Sequence, residues 1–321
     1  MNQDQSIIGL EVYLHSSSLN FLNVYVHIKT IVELVQATHH ASKMGYQLLI
    51  PLYCNQWGKA RGSPEPILYL FAVYMDELSI QLGSANVGCT VGNMVVNHLM
   101  FANDICAFSP SGLQCLLNIC GDYAAEREIT FNCNKTIGVL FCPKKYKQPA
   151  PSNVFLNGVR VQFLDQVKYL GVWINASLKD DDDIQRQAKS LYCAANKLGG
   201  TFDQCSTAVK NTSFRAYCMP MYACQLWSKY TQTSMKRLRA AYNNAYRIMH
   251  YIPRNVSVRP HQVSHCVRTF DAVLRNNLYR FFIRCTSSSN FFIRSLQMSD
   301  AFCKSSFFLN YSTLLYGGQM Q

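Results

Sequence analysis

Residues Leu99 to Ser111 read LMFANDICAFSPS: an apolar run to Phe101, the polar pair Asn103-Asp104, a second apolar run from Ile105 to Phe108, then Ser-Pro-Ser. Two short apolar runs around residues that tolerate turn geometry predict a β-hairpin. The acid at its tip is the feature that needs a reason. Asn-Asp is ordinary turn chemistry, but a turn that presents a metal ion to a substrate needs at least one carboxylate. Asp104 is the candidate ligand.

The chain around this hairpin has 321 residues, 49% of them hydrophobic and 15% charged, enough for one large domain or two modest ones with a real core. Its most apolar segment, PILYLFAVYM from Pro66, stops at Asp76-Glu77, well short of the roughly 20 residues a spanning helix needs. The opening residues, MNQDQSIIGL, lack the basic region of a signal peptide. An intracellular protein, nuclear or cytoplasmic and without a membrane partner, is therefore expected. The fourteen cysteines are scattered without a C-x-x-C pair, so reduced and mostly buried thiols are expected and no structural metal.

Charge is distributed unevenly. Residues 1–200 carry fifteen Lys/Arg and fifteen Asp/Glu, whereas residues 201–321 carry fifteen Lys/Arg against only Asp203, Asp271 and Asp300, so the whole net charge of +12 lies in the last third. Such a block points to a polyanion partner, because each cation near a phosphate releases condensed counterions. Within it, Lys236, Arg237 and Arg239 open a helical pattern whose other face carries Met235, Leu238, Tyr242 and Ala245.

Residues 1 to about 50 have apolar runs too short to tell strand from helix. A helix is predicted from Ile67 to about Leu82, and strands around Gly88 and Gly92 lead into the hairpin. After it, Leu113, Leu116, Leu117, Cys120, Tyr123 and Ala124 recur as on one helix face, and Asn157-Gly158 marks a second hairpin followed by a further strand. From Ile184 the pattern is helical, with breaks at Gly199-Gly200, Pro220, Pro253 and Pro260. The acidic run Asp180 to Asp183 precedes that first helix, where capping and the helix dipole account for it without a metal. The predicted fold is α/β to about residue 178, an antiparallel sheet with packed helices, and all-helical beyond.

Four stretches, the second a loop with the helix after it, resemble in their order along the chain the reverse transcriptases of non-LTR, LINE-type retrotransposons. Phe101-Ala102-Asn103-Asp104 stands where that family carries Phe/Tyr-Ala-Asp-Asp. Gly58-Lys59-Ala60-Arg61-Gly62-Ser63-Pro64 resembles the family's Gly-Val-Arg-Gln-Gly-Ser-Pro loop, and Tyr74-Met75-Asp76-Glu77-Leu78-Ser79 matches the end of the helix after it. Phe131-Asn132 with Lys135-Thr136, and Tyr169-Leu170-Gly171, resemble the segments that follow. The resemblance spans roughly residues 55 to 260 and implies an RNA-directed DNA polymerase. Its palm would occupy 51–178 and a basic helical thumb 179–321, with residues 1–50 a degenerate remnant of fingers and first palm segment.

By that resemblance Asn103 and Asp104 hold the catalytic turn, with Asp104 as metal ligand. Arg61, Gly62, Ser63 and Lys135 would face nucleotide and template, and Tyr169, Gly171, Lys236, Arg237 and Arg239 the primer strand. Two Mg2+ ions, an RNA template, a DNA primer and dNTPs complete the implied reaction. Carboxylates are needed because only anionic oxygen offsets two divalent charges held about 4 Å apart.

Three departures point to impaired catalysis. The metal-facing position is Asn103, which offers an amide oxygen without charge. The family's earlier acidic strand is not recognisable: His40-Ala41-Ser42-Lys43 is followed by Met44-Gly45-Tyr46 where Ala-Phe-Asp is expected. The loop has Arg61 in place of Gln and is one residue short before Pro66. Two other readings stay open: a non-catalytic nucleic-acid-binding remnant, or an unstable open reading frame without function.

Overall fold

The computed structural model describes residues 47–53, 66–91, 94–101, 104–142, 151 and 153–316. The segments IIGLEVYL and FLNVYVHIKTIVELV, the Arg61-Gly62-Ser63 loop and Asn103 lie outside the described residues. The chain divides into two units, one comprising residues up to Leu178 with Cys285–Phe308, the other Lys179–Arg284 with the residues from Leu309. Residues 285–308 thus group with the first unit, although their helical pattern continues that of the second.

In the first unit, strands β1 (Gln47–Tyr53), β2 (Cys89–Val91), β3 (Met94–Val96), β4 (His98–Phe101), β5 (Asp104–Ser109) and β6 (Ile137–Phe141) accompany helices α1 (Pro66–Ser84) and α2 (Leu113–Glu126). β2 and β3 pair as a small hairpin. Short strands β7 (Phe155–Leu156), β8 (Val159–Arg160), β9 (Gln162–Phe163), β10 (Gln166–Tyr169) and β11 (Val172–Asn175) follow. The main sheet runs β4-β5-β1-β6-β9, antiparallel except for the β6–β9 edge, which is parallel. β1 starts at Gln47, so the division placed at residue 50 falls inside a strand. Its pairing with β6 ends at Leu49, before Pro51, which has no N–H to give to a second ladder.

β5 is buried from Ile105 to Ser109 without alternation, as a strand covered on both faces must be. Ile105 and Ala107 pack into a core with Met75, Leu78 and Leu82 of α1 and with Leu113, Leu116, Leu117 and Cys120 of α2. A polar chain fixes β4 to α1. Burial takes the His98 ring down to about 4, so it is neutral at physiological pH. Its Nδ1–H then donates to Asn97 Oδ1 at 2.7 Å and its Nε2 accepts the Ser79 hydroxyl at 2.8 Å, while Asn97 Nδ2 donates to the Leu82 carbonyl. Ser109 Oγ accepts the Gly112 N–H at 2.9 Å and so braces the turn that leads into α2. A Cβ on Gly112 would come within 2.0 Å of Val87 Cγ1, so only glycine lets these segments approach.

The Asn157-Gly158 hairpin is present, with φ of 50° and 75°. The strand predicted after it is instead two strands, β10 and β11, joined by Leu170 and Gly171, both at positive φ. That geometry matches the right-handed strand twist. Leucine is a costly occupant of it, so Leu170-Gly171 lacks the Asn-Gly or Asp-Gly signature by which such a turn is read from sequence.

The second unit is helical: α3 (Asp181–Thr201), α4 (Thr207–Tyr217), α5 (Gln232–His250), α6 (Arg259–Ser264) and α7 (Phe270–Thr286). Three more helices close the described chain: α8 (Phe291–Gln297), α9 (Asp300–Cys303) and α10 (Ser306–Tyr316). Ile184, Leu191, Ala195 and Leu198 of α3 share a core with Leu238, Ala241, Tyr242, Ala245 and Met249 of α5. Phe214 meets the rings of Tyr242 and Tyr246 edge-on at 5.3 and 5.1 Å. Gly199 and Gly200 lie inside α3 and do not end it. Packing against α5 outweighs their helix penalty of about 1 kcal/mol each, and a Cβ on Gly199 would touch Ile248 at 3.4 Å.

Asp180 holds the N-cap position of α3 and Asp181 to Asp183 fill its first turn, where the helix dipole favours them, but the carboxylates do more than cap. Asp180 precedes α3 but makes no side-chain cap bond; its carboxylate accepts the N–H groups of Ser228 and Lys229 at 2.7 Å. Asp181 accepts the Thr231 N–H and hydroxyl and the Ser234 hydroxyl. Asp183 accepts from Trp227 Nε1 at 2.9 Å and from Arg186. Three carboxylates therefore anchor the segment leading into α5, where Thr231 is the true cap, its hydroxyl accepting the Ser234 N–H.

Candidate functional site

The hairpin strands β4 and β5 pair so that Phe101 lies opposite Asp104, and on the other side of β5 the register sets Tyr53 opposite Asp104. Asp104 is half-buried, and desolvation raises its carboxyl to about 6. Cys106, two residues on, is fully buried; burial first, then the Asp104 charge, pushes its thiol well above the ordinary range.

A two-ion site needs more acid than this. β1, the strand beside the hairpin, reads QLLIPLY and carries no carboxylate. Among the described residues no three His, Cys, Asp or Glu side chains gather to hold a metal. The described donor set therefore does not fit a pair of Mg2+ ions.

The raised carboxyl has a consequence for stability. The folded value of about 6 lies above the ordinary 3.8, so folding favours the protonated acid. Stability tied to that proton is complete below about pH 4 and is lost as pH rises through 6. Asp104→Asn is expected to raise stability at pH 8 by up to about 3 kcal/mol, with the gain vanishing near pH 4, as measured by denaturant titration across pH. A variant less stable than the parent at pH 8, or a parent specifically stabilised by Mg2+, would show that Asp104 is held ionised by a cation instead.

The other predicted residues are dispersed. Lys135 is exposed in a turn where its N–H donates to Asn132. Tyr169 ends β10 with its side chain fully buried, and Gly171 forms the turn after it. Lys236 and Arg237 are exposed on α5, whereas Arg239 is engaged, 2.7 Å from Asp271 and over the Phe270 ring. Sequence patterning singled out none of Arg247, Arg259 and Arg275, which line one cleft with Arg239 in the second unit. The spacing of Arg239, Asn243 and Arg247, four residues apart on α5, was the available signal.

No described helix is long and apolar enough to cross a membrane. No family model matches the chain. A curated relative, the retrovirus-related Pol polyprotein from type-2 retrotransposable element R2DM of Drosophila melanogaster, is 30% identical over 175 residues. The match covers 51% of this chain and 16% of that polyprotein. The similarity makes the chain retrotransposon-related.

Proposed function

We propose that the chain is a retrotransposon-derived reverse transcriptase remnant: a palm that keeps its hairpin, followed by a basic thumb-like unit that binds nucleic acid without supporting synthesis. The observation that carries this reading is the hairpin itself, with Asp104 at the start of β5 and an acid-free strand paired beside it. A polymerase palm of the resembled family presents its ions from such a hairpin and from an acid on an earlier strand. Here the register partner of Asp104 on β1 is Tyr53. What survives is the polyanion-binding half of the function, supported by the cationic last third and by the exposed Lys236 and Arg237 on α5. The Pol polyprotein relative is consistent with this origin. RNA template and DNA primer are the partners proposed, with dNTPs and Mg2+ unused.

Fluorescence anisotropy with a labelled RNA–DNA duplex tests the reading. Affinity is expected to fall steeply from low to physiological salt, and replacing both Lys236 and Arg237 by Gln is expected to flatten the log–log slope by about 0.9 per lost phosphate contact. Binding indifferent to salt would contradict it.

A further inference from the structure

A cleft of about 270 Å³ in the second unit is lined from α5, α6 and α7 by Arg239, Arg247, Arg259, Gln262, Asp271 and Arg275, among others. Its charged lining is four arginines against one aspartate. That aspartate is already taken by Arg239 at 2.7 Å, and among the described residues Arg247, Arg259 and Arg275 have no carboxylate partner. Arg247 spends its two terminal nitrogens on Asn244 Oδ1 and the Val256 carbonyl, both at 3.1 Å, which fixes the guanidinium in place. Its Nε is buried with no acceptor.

Gln262 repeats the pattern. It is 1% exposed, yet its Nε2 has no acceptor. A buried donor without a partner is destabilising, and unpaired like charges at one cleft repel. Two such donors and an unbalanced set of guanidinium forks lining one cavity make a single chemical demand, for an acceptor-rich anion.

We infer that this cleft is a phosphate-binding site, taking one phosphate group either from a nucleic-acid strand or as the free ion. Phosphate fits better than a carboxylate because its oxygens diverge tetrahedrally and can accept from several forks at once. The inference goes beyond the remnant polymerase reading and stands without it, since it rests on the cleft alone.

The test is thermal unfolding of the full chain in inorganic phosphate, against acetate and chloride at equal ionic strength. Phosphate is expected to raise the melting temperature by several degrees beyond either control. Arg259→Gln and Arg275→Gln, both at exposed positions, are each expected to lose roughly tenfold in phosphate affinity. Gln262→Met removes the unpartnered donor at similar volume, so it is expected to raise the melting temperature without phosphate and shrink the phosphate shift. A purely structural Gln262 predicts the opposite sign.

Labelled single-stranded RNA then identifies the source of the phosphate. Displacement of RNA by inorganic phosphate in the parent, weakened in Arg275→Gln, assigns the group to the strand; RNA that binds without competition assigns the free ion. Equal shifts in phosphate, acetate and chloride, or arginine variants that keep the full phosphate shift, would overturn the site. Salt-sensitive RNA binding alongside that result would leave the nucleic-acid reading standing.

Discussion

Supplied with RNA template, DNA primer, dNTPs and Mg2+, the purified chain is expected to extend no primer, and Asn103→Asp is expected to leave it inactive. The second half of that expectation is the informative one. Asn103 alone explains silence if the rest of the palm is intact, and restoring the acid would then restore synthesis. The sheet argues otherwise. β1 occupies the place beside β5, its seven residues carry no acid, and Tyr53 stands opposite Asp104. An aspartate at 103 would add charge next to Asp104, whose carboxyl burial already raises to about 6, without supplying a ligand from a second strand. Two-metal catalysis contributes several kcal/mol of charge stabilisation, so its loss costs at least about a thousandfold in rate. Gel-resolved primer extension reads this directly. Extension by Asn103→Asp alone would place the missing acid outside the described residues and reduce the defect to one substitution.

How much of this was legible in the sequence follows from the range of the interactions concerned. α2 was legible because Leu113, Leu116, Leu117 and Cys120 repeat within one helix, and the Asn157-Gly158 hairpin because the turn chemistry sits at the turn. The place of β1 in the middle of the sheet was not. Its partners lie more than fifty residues away on β5 and farther still on β6, and a short apolar run does not encode which strand it will join. Composition exposed the cationic block, but not that Arg239, Arg247, Arg259 and Arg275 converge, since convergence depends on how three helices pack. The acidic run shows the same limit: its carboxylates look like a cap locally, and apart from Arg186 the partners named above are 44 to 53 residues distant.

Asp183→Ala is expected to cost about 3–5 kcal/mol, as measured by the denaturation midpoint with an unchanged slope. Asp183 is 1% exposed, and its two oxygens hold the Trp227 indole N–H at 2.9 Å and the Arg186 guanidinium at 2.6 and 3.2 Å. Alanine leaves the indole donor and the part-buried guanidinium without an acceptor, and stranded buried donors and charges account for most losses of this size. Asp183→Asn keeps one oxygen acceptor and is expected to lose less. The neighbouring acid adds a pH signature. Burial pushes the Asp181 carboxyl up, but the Ser234 and Thr231 hydroxyls and the Thr231 N–H outweigh it and leave the group below its ordinary 3.8. Its stabilisation is present above that value and is lost as pH falls through the lower folded one, opposite in direction to Asp104. Were the run an ion site instead, Mg2+ would stabilise the parent by mass action and chelation would mimic Asp183→Ala; neither is expected. Because Asp180 and Asp181 hold the segment that enters α5, losing this anchor should weaken RNA binding only as far as the second unit unfolds, whereas Lys236→Gln should weaken it with the fold intact.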